Sequence, residues 1–213
     1  MNIRPLTKDE IECRVAQVAK DLKWCSVLLY KDARVDMRIL DETFGPMNWQ
    51  RSHEVINGNL FCTVSVWDEE KGQWISKQDV GVESKTEAEK GQASDSFKRA
   101  CFNLGIGREL YTAPTIFINL TAGDIANGKV KTRFNLTKIN YKDGAISELE
   151  VVDGKGLVRY SYPERKITKK TILGQISKAT TLKELTTIFN QNPSLQNDQE
   201  FIDALSAQKA KVA

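Results

Sequence analysis

Apolar residues recur along the chain with two periods, and the changes of period mark out its elements. After Leu6, the residues Ile11, Val15, Val18, Ala19 and Leu22 fall at helical spacing. Thr7, with Glu10 three residues on, has the form of a capping box, so a helix is expected over 7–22. Residues 24–30 are a short apolar run of strand length. Over 34–44, Met37, Leu40 and Phe44 share one helical face until Gly45-Pro46 stops it. Strand patterning then takes over. Residues 48–56, 60–67 and 73–82 are separated by Asn57-Gly58-Asn59 and by the polar turn 68–72, which predicts a three-stranded meander.

The best-defined helix follows. Ser84-Lys85-Thr86-Glu87 fits a capping box, and Ala88, Ala93, Phe97, Ala100, Cys101 and Leu104 form an apolar stripe. Gly105 is a natural C-cap. Residues 115–120 read as a strand, and 129–141 with 145–152 as a hairpin about Lys142-Asp143-Gly144. A basic, proline-containing linker over 160–170 leads to a C-terminal helical hairpin. Its first helix covers 181–189, its second runs through Phe201, Leu205 and Lys209, and Asn192-Pro193 breaks between them. The fold class is α+β, with a core over 1–170 and a helical module over 171–213.

Composition narrows the chemistry. Hydrophobic residues at 40% and charged residues at 28% argue against wholesale disorder. No apolar run reaches the length of a membrane span, and no apolar stretch of signal-peptide length follows the N-terminus, so a cytoplasmic protein is expected. The cysteines, Cys13, Cys25, Cys62 and Cys101, form no Cys-x-x-Cys unit, and His53 is the sole histidine. A zinc site is therefore disfavoured, and buried free thiols in a reducing compartment are expected. Cys13 or Cys101 acting with His53 is a conceivable nucleophile, but free cysteine is among the most buried residue types. Gly105-Ile106-Gly107 lacks both the Lys-Ser/Thr of a phosphate loop and the third glycine of a dinucleotide fingerprint. No pair of acids has the spacing of a two-metal nuclease. The expectation is a non-enzyme with no metal and no cofactor.

Net charge is only +3, but its distribution is uneven. Residues 113–170 hold 11 basic and 6 acidic side chains, against 16 and 18 over 1–112 and 4 and 4 over 171–213. Two clusters stand out. Lys98 and Arg99, with Lys90 and Lys85, form a row of cations along one helix edge, which either tracks phosphates or is a solvated face. Lys129, Lys131 and Arg133 alternate with Val130, Thr132 and Phe134. On a strand they make a basic face that either meets nucleic acid or guards an edge against aggregation. Trp49, Phe61, Trp67 and Trp74 sit in the meander and either stack unpaired bases or pack against the following helix.

The order of these pieces carries a resemblance. A helix ends in Asp41-Glu42-Thr43-Phe44-Gly45 and leads to Asn48-Trp49. The meander closes on Asp79-Val80-Gly81-Val82-Glu83. The next helix carries Glu89-Lys90 and then Ala93-Ser94-Asp95-Ser96-Phe97-Lys98-Arg99-Ala100, and ends in Asn103-Leu104-Gly105. Over roughly residues 30–112 the chain resembles the Rad-fifty-two type of single-strand annealing protein, including its phage Sak-type relatives. The resemblance implies a β-β-β-α annealing core and oligomeric rings. It also implies ATP-independent binding of single-stranded DNA, and strand annealing in recombination, repair or phage replication within a bacterial host cell.

Lys98 and Arg99 match the family's groove-lining pair, and Arg34 and Arg38 are candidates for a further basic position. Phe102 stands where eukaryotic relatives place another arginine. The helical tail reads as a docking module for a single-strand-binding protein or an exonuclease. The rival readings are a double-stranded RNA-binding module, whose α-β-β-β-α order is similar, and a metal-dependent nuclease.

Overall fold

The computed structural model describes residues 3–82, 88–164, 169–192 and 195–212. The chain divides into two compact units, Met1–Glu164 and Arg165–Ala213. The first unit is α+β, and all its sheets are antiparallel.

The chain opens differently from the helix expected over 7–22. Only Lys8–Glu10 is helical, a single 3-10 turn in which the Glu10 carboxylate accepts from the Thr7 N–H at 2.8 Å. Strand β1 (Glu12–Val18) follows and pairs with β2 (Trp24–Tyr30). The spacing of Ile11 and Val15 suits a helix, but Ile11, Cys13 and Val15 also alternate with exposed Glu12 and Arg14. The hydrogen-bond ladder offered by β2 decides for the strand.

Helix α1 (Ala33–Phe44) forms as expected. Asp32 caps it by accepting from the Arg34 N–H at 2.7 Å, and Gly45 at φ +86° ends it. The meander is β3 (Trp49–Ile56), β4 (Asn59–Asp68) and β5 (Gln73–Val80), in that spatial order. Asn57-Gly58, both at positive φ, turns the first hairpin. Helix α2 (Ala88–Leu104) packs on β4 and β5; the capping box expected at 84–87 lies outside the described residues.

Strand β6 (Ile116–Asn119) joins the first sheet, in the order β1-β2-β6. The strand expected over 129–141 is broken. β7 (Ile125–Ala126) and β8 (Lys129–Val130) close a small hairpin of their own around Asn127-Gly128, again at positive φ. The next residues turn away because Asp124 takes the Lys131 N–H on its carbonyl and the Thr132 hydroxyl on its carboxylate. β9 (Phe134–Lys142), β10 (Ala145–Asp153) and β11 (Val158–Tyr162) then form a third sheet. Residues 160–162, expected in a linker, thus belong to a strand. This sheet lies against the first, β9 by β1 and β11 by β6. One apolar core serves the whole unit and includes Val27, Leu29, Ile39, Val64, Phe97, Ile118 and Leu149.

Among its described residues the second unit holds three helices where two were expected: α3 (Lys169–Lys178), α4 (Leu182–Gln191) and α5 (Gln199–Val212). Ile172, Ile176, Ala179, Leu185 and Phe201 form its core. Gly174 in mid-helix lowers the helical signal of α3, and packing of Ile172 and Ile176 restores it.

Candidate nucleic-acid interface

Helix α2 is anchored through Ser96, Phe97, Ala100 and Cys101, which face Cys62, Val64 and Val66 of β4 in the core. Gly81, just after β5, makes the close approach possible. A Cβ there would lie 2.1 Å from the Gln92 carbonyl oxygen and 2.7 Å from the Ser96 nitrogen. Around it, Asp79 accepts from Arg99 Nε and Asn103 Nδ2, each at 3.2 Å, and Asp95 accepts from the Val82 N–H at 3.0 Å. The Asp79-Val80-Gly81 unit is therefore a latch between sheet and helix.

The Phe44-Gly45 to Trp49 unit is a second latch. Trp49 Nε1 donates to Asp41 at 2.7 Å, and its indole stacks on Phe97 with centroids 6.3 Å apart. Arg51 lies over the other ring of that pair, Cζ 4.6 Å from the Phe97 centroid.

Between the latches, Lys98 and Arg99 leave α2 in different directions. Arg99 is exposed and turned to Asp79. Lys98 is half-buried on the side of α1, carries no ion pair among the described residues, and adds its field to that of Lys31 at Asp36. Lys31 donates to Asp36 Oδ1, and both side chains are buried. Burial pushes the Asp36 carboxyl up to about 6 against the pull of Lys31. Nothing in the sequence pattern marks this pair, whose members sit five residues apart across a loop and a helix turn.

The remaining predicted cations are scattered. Arg34 and Arg38 lie one turn apart on the exposed side of α1, where Arg38 Nη1 stands 3.5 Å from Glu10. Arg4 already holds Glu10 through two bonds of 2.8 Å, and it draws the Glu10 carboxyl down to about 2. Lys90 is exposed on α2, and Lys85 lies outside the described residues. Lys129, Lys131 and Arg133 are exposed but do not share one strand face, because the strand breaks between them. Arg133 instead joins Lys8, Arg14 and Asn135 in a groove between β1 and the start of β9.

Part of the positive excess over 113–170 is internal. Arg159, its side chain only 10% exposed, is bonded to Asp124 at 2.8 and 2.9 Å, to Asp153 at 3.2 Å and to the Asn119 carbonyl at 2.7 Å.

The catalytic pairing that composition leaves open finds no support in geometry. Burial raises the Cys13 thiol to about 11 and the Cys101 thiol further, so neither is an activated nucleophile. His53 Nε2 instead lies 3.2 Å from the Ala93 carbonyl. Among the described residues no three His, Cys, Asp or Glu side chains gather into a metal-sized cluster, and no helix is long and apolar enough to cross a membrane.

The meander aromatics divide. Trp49 packs on Phe97, whereas Trp67 and Trp74 meet edge to face 5.6 Å apart, with Trp74 exposed. A further aromatic group, Trp24, Tyr30 and Phe117, lies on β2 and β6; both are expected as strands, but only their pairing in the fold brings the rings onto one sheet. No protein-family model matches the chain, and no curated protein matches it significantly.

Proposed function

We propose that residues 1–164 form an ATP-independent single-stranded DNA-binding and annealing unit that works as a homo-oligomer. The observation that carries this reading is Lys98. It is a cation with no ion pair among the described residues, on a helix fixed to the sheet by two latches, and it sits in the motif that resembles the annealing proteins. Annealing breaks no covalent bond. It needs cations directed at phosphates, so that base edges stay free to pair. Arg99 adds a guanidinium whose Nε is steadied by Asp79, leaving its terminal nitrogens for a phosphate. A protomer of charge +3 becomes locally basic when copies align one cationic stripe.

The test is Lys98→Ala/Arg99→Ala, which leaves the core intact. Affinity for a single-stranded oligonucleotide should fall roughly 10²- to 10⁴-fold, from two charge-assisted bonds of ~1.5–3 kcal/mol each. The slope of log affinity against log salt should shrink by about 1.4. Unchanged affinity would remove α2 from the interface, and a monomeric native mass with and without oligonucleotide would remove the oligomer. A second reading, a double-stranded RNA-binding module, is favoured by the order α1-β3-β4-β5-α2, with both helices packed together. Competition between single-stranded DNA and duplex RNA separates the two. The helical module over 171–213, with 4 basic and 4 acidic side chains, is proposed to recruit a partner, such as a single-strand-binding protein or an exonuclease.

A further inference from the structure

The outer face of the β1-β2-β6 sheet carries exposed aromatic and apolar side chains. Strand β2 sends Cys25, Val27 and Leu29 into the core, so Trp24, Ser26, Leu28 and Tyr30 all point outward. On β6, Ile116 and Ile118 are buried, and Phe117 and Asn119 face out. On β1, Glu12 and Arg14 are opposite Tyr30 and Leu28. Trp24 is 37% exposed, Leu28 48% and Phe117 54%. Trp24 and Phe117 meet edge to face, centroids 5.2 Å apart. At the far end, Arg14 lies over the Tyr30 ring, 5.7 Å from its centroid, and the Tyr30 hydroxyl is fixed by Glu12 at 2.6 Å. Trp24 and Tyr30 are six residues apart on one strand face, roughly 20 Å. Arg14 also borders the groove lined by Arg133, Glu12 and the Lys8–Asp9 ion pair, so the aromatic face adjoins two guanidinium groups.

We infer that this face is a stacking platform for unpaired bases of single-stranded DNA, with Arg14 and Arg133 taking the adjoining phosphates. Trp24, Leu28 and Phe117 together expose on the order of 300 Å². That is a patch of the size that often marks a binding site. Unpaired bases suit it: every base offers a π-face, and stacking tolerates any sequence. The bordering cations supply the complementary charge. The platform would hold some bases while the cations of α1 and α2 hold backbone elsewhere along the strand. This inference rests on the proposed DNA-binding function but uses different residues, so the two can fail separately.

The experiment compares wild type with Trp24→Thr/Phe117→Thr, which keeps strand propensity and removes both rings. Each is titrated with an oligothymidylate and with an abasic oligomer of equal length. The double change should weaken oligothymidylate binding about 5- to 100-fold per base lost. It should leave abasic binding and the salt slope unchanged. In parallel, wild-type protein is photocrosslinked to a 5-iodouracil oligonucleotide, and crosslinks are expected at Trp24, Tyr30 or Phe117. This second measurement stands even if the variant does not fold. Equal affinity of wild type and folded variant, or crosslinks confined to other residues, overturns the platform while leaving DNA binding in place. A folded variant of altered oligomeric mass and unchanged affinity makes the face a protein contact instead. Wild type that binds neither oligomer overturns the platform together with the function.

Discussion

Asp36 under α1 and Asp124 just before β7 are both buried beside a cation, yet they are driven in opposite directions. Asp124 accepts two bonds from Arg159, one from the Thr132 hydroxyl, and one each from the Thr121 N–H and hydroxyl, all at 2.8–2.9 Å. The guanidinium is the largest influence, and it holds the Asp124 carboxyl far below the usual range. Asp36 has Lys31 on Oδ1 and no partner for Oδ2, so desolvation dominates and its carboxyl rises to about 6. Both sites are dry and both hold a cation. What separates them is whether donors fill the lone pairs of the carboxylate. Asp124 ties β6, β8 and β11 together, and such a tie works only while fully charged. Asp36 lies in the helix layer next to Lys98, at the proposed interface.

Breaking the Asp124 site should have the larger effect. Arg159→Ala leaves Asp124 and Asp153 buried without their cation, and an unfolding titration in urea should show a loss of about 3–5 kcal/mol. Arg159→Lys keeps the charge but not the fork that reaches Asp124, Asp153 and the Asn119 carbonyl at once, so it should recover only part of that loss. A loss under 1 kcal/mol in the alanine variant would mean that the threonines alone sustain the charge.

The half-satisfied site should respond in the opposite sense. Replacing both members with apolar side chains, Lys31→Met/Asp36→Leu, removes two buried charges and the orphan Oδ2. Stability should be unchanged or rise by up to ~4 kcal/mol. The same unfolding titration checks it, and a clear fall would show that the pair is better satisfied than Asp36 Oδ2 suggests.

These two sites also show what could be read from the chain. The meander, α1 and the body of α2 were legible because their signals are local: Asn57-Gly58, Gly45, and stripes of fixed period. Lys98 and Arg99 were legible as a motif, but Arg99's turn toward Asp79, 20 residues back in the chain, depends on the approach that Gly81 allows. Arg159 is only one of 11 basic residues over 113–170 in the sequence, because its partners lie 35 residues back at Asp124 and 40 back at the Asn119 carbonyl. β1 was misread because Ile11, Val15 and Val18 satisfy a helical period while their strand partner lies across a turn. The aromatic face of the first sheet is not legible for another reason: β2 and β6 are expected as strands, but their pairing is a long-range contact.

Acid titration separates the two carboxylates by sign. Asp124 is depressed, so its stabilisation is present above the unfolded carboxyl value of ~3.9 and is lost as pH falls below it. Asp36 is raised, so its contribution is fully present below ~3.9 and is lost as pH rises through about 6. The stability difference between wild type and Asp36→Asn, measured from pH 3.5 to 7.5, cancels the other carboxylates. It should shift in favour of the variant by on the order of 2–3 kcal/mol across that window. A difference independent of pH would mean that Asp36 titrates as an ordinary carboxyl. Lys98→Ala adds a finer check, because removing its field should move the Asp36 midpoint to higher pH in a carboxyl-detected NMR titration.

Arg99 and Asp79 supply the exposed counterpart of both buried sites, and the smallest effect. The Arg99 side chain is 44% exposed, its contact is a single 3.2 Å bond through Nε, and Asn103 Nδ2 continues to hold Asp79 if the guanidinium is removed. Water and salt screen such a pair, so its net worth is ~0.2–1 kcal/mol. Arg99→Ala should therefore lower stability by no more than ~1 kcal/mol at low salt, and 1 M NaCl should erase most of the difference. A loss of the size expected for Arg159→Ala would place Arg99 among the structural cations and take it out of the proposed DNA contact. A small, salt-sensitive loss leaves the guanidinium free to exchange Asp79 for a phosphate, which a backbone-binding cation must be able to do.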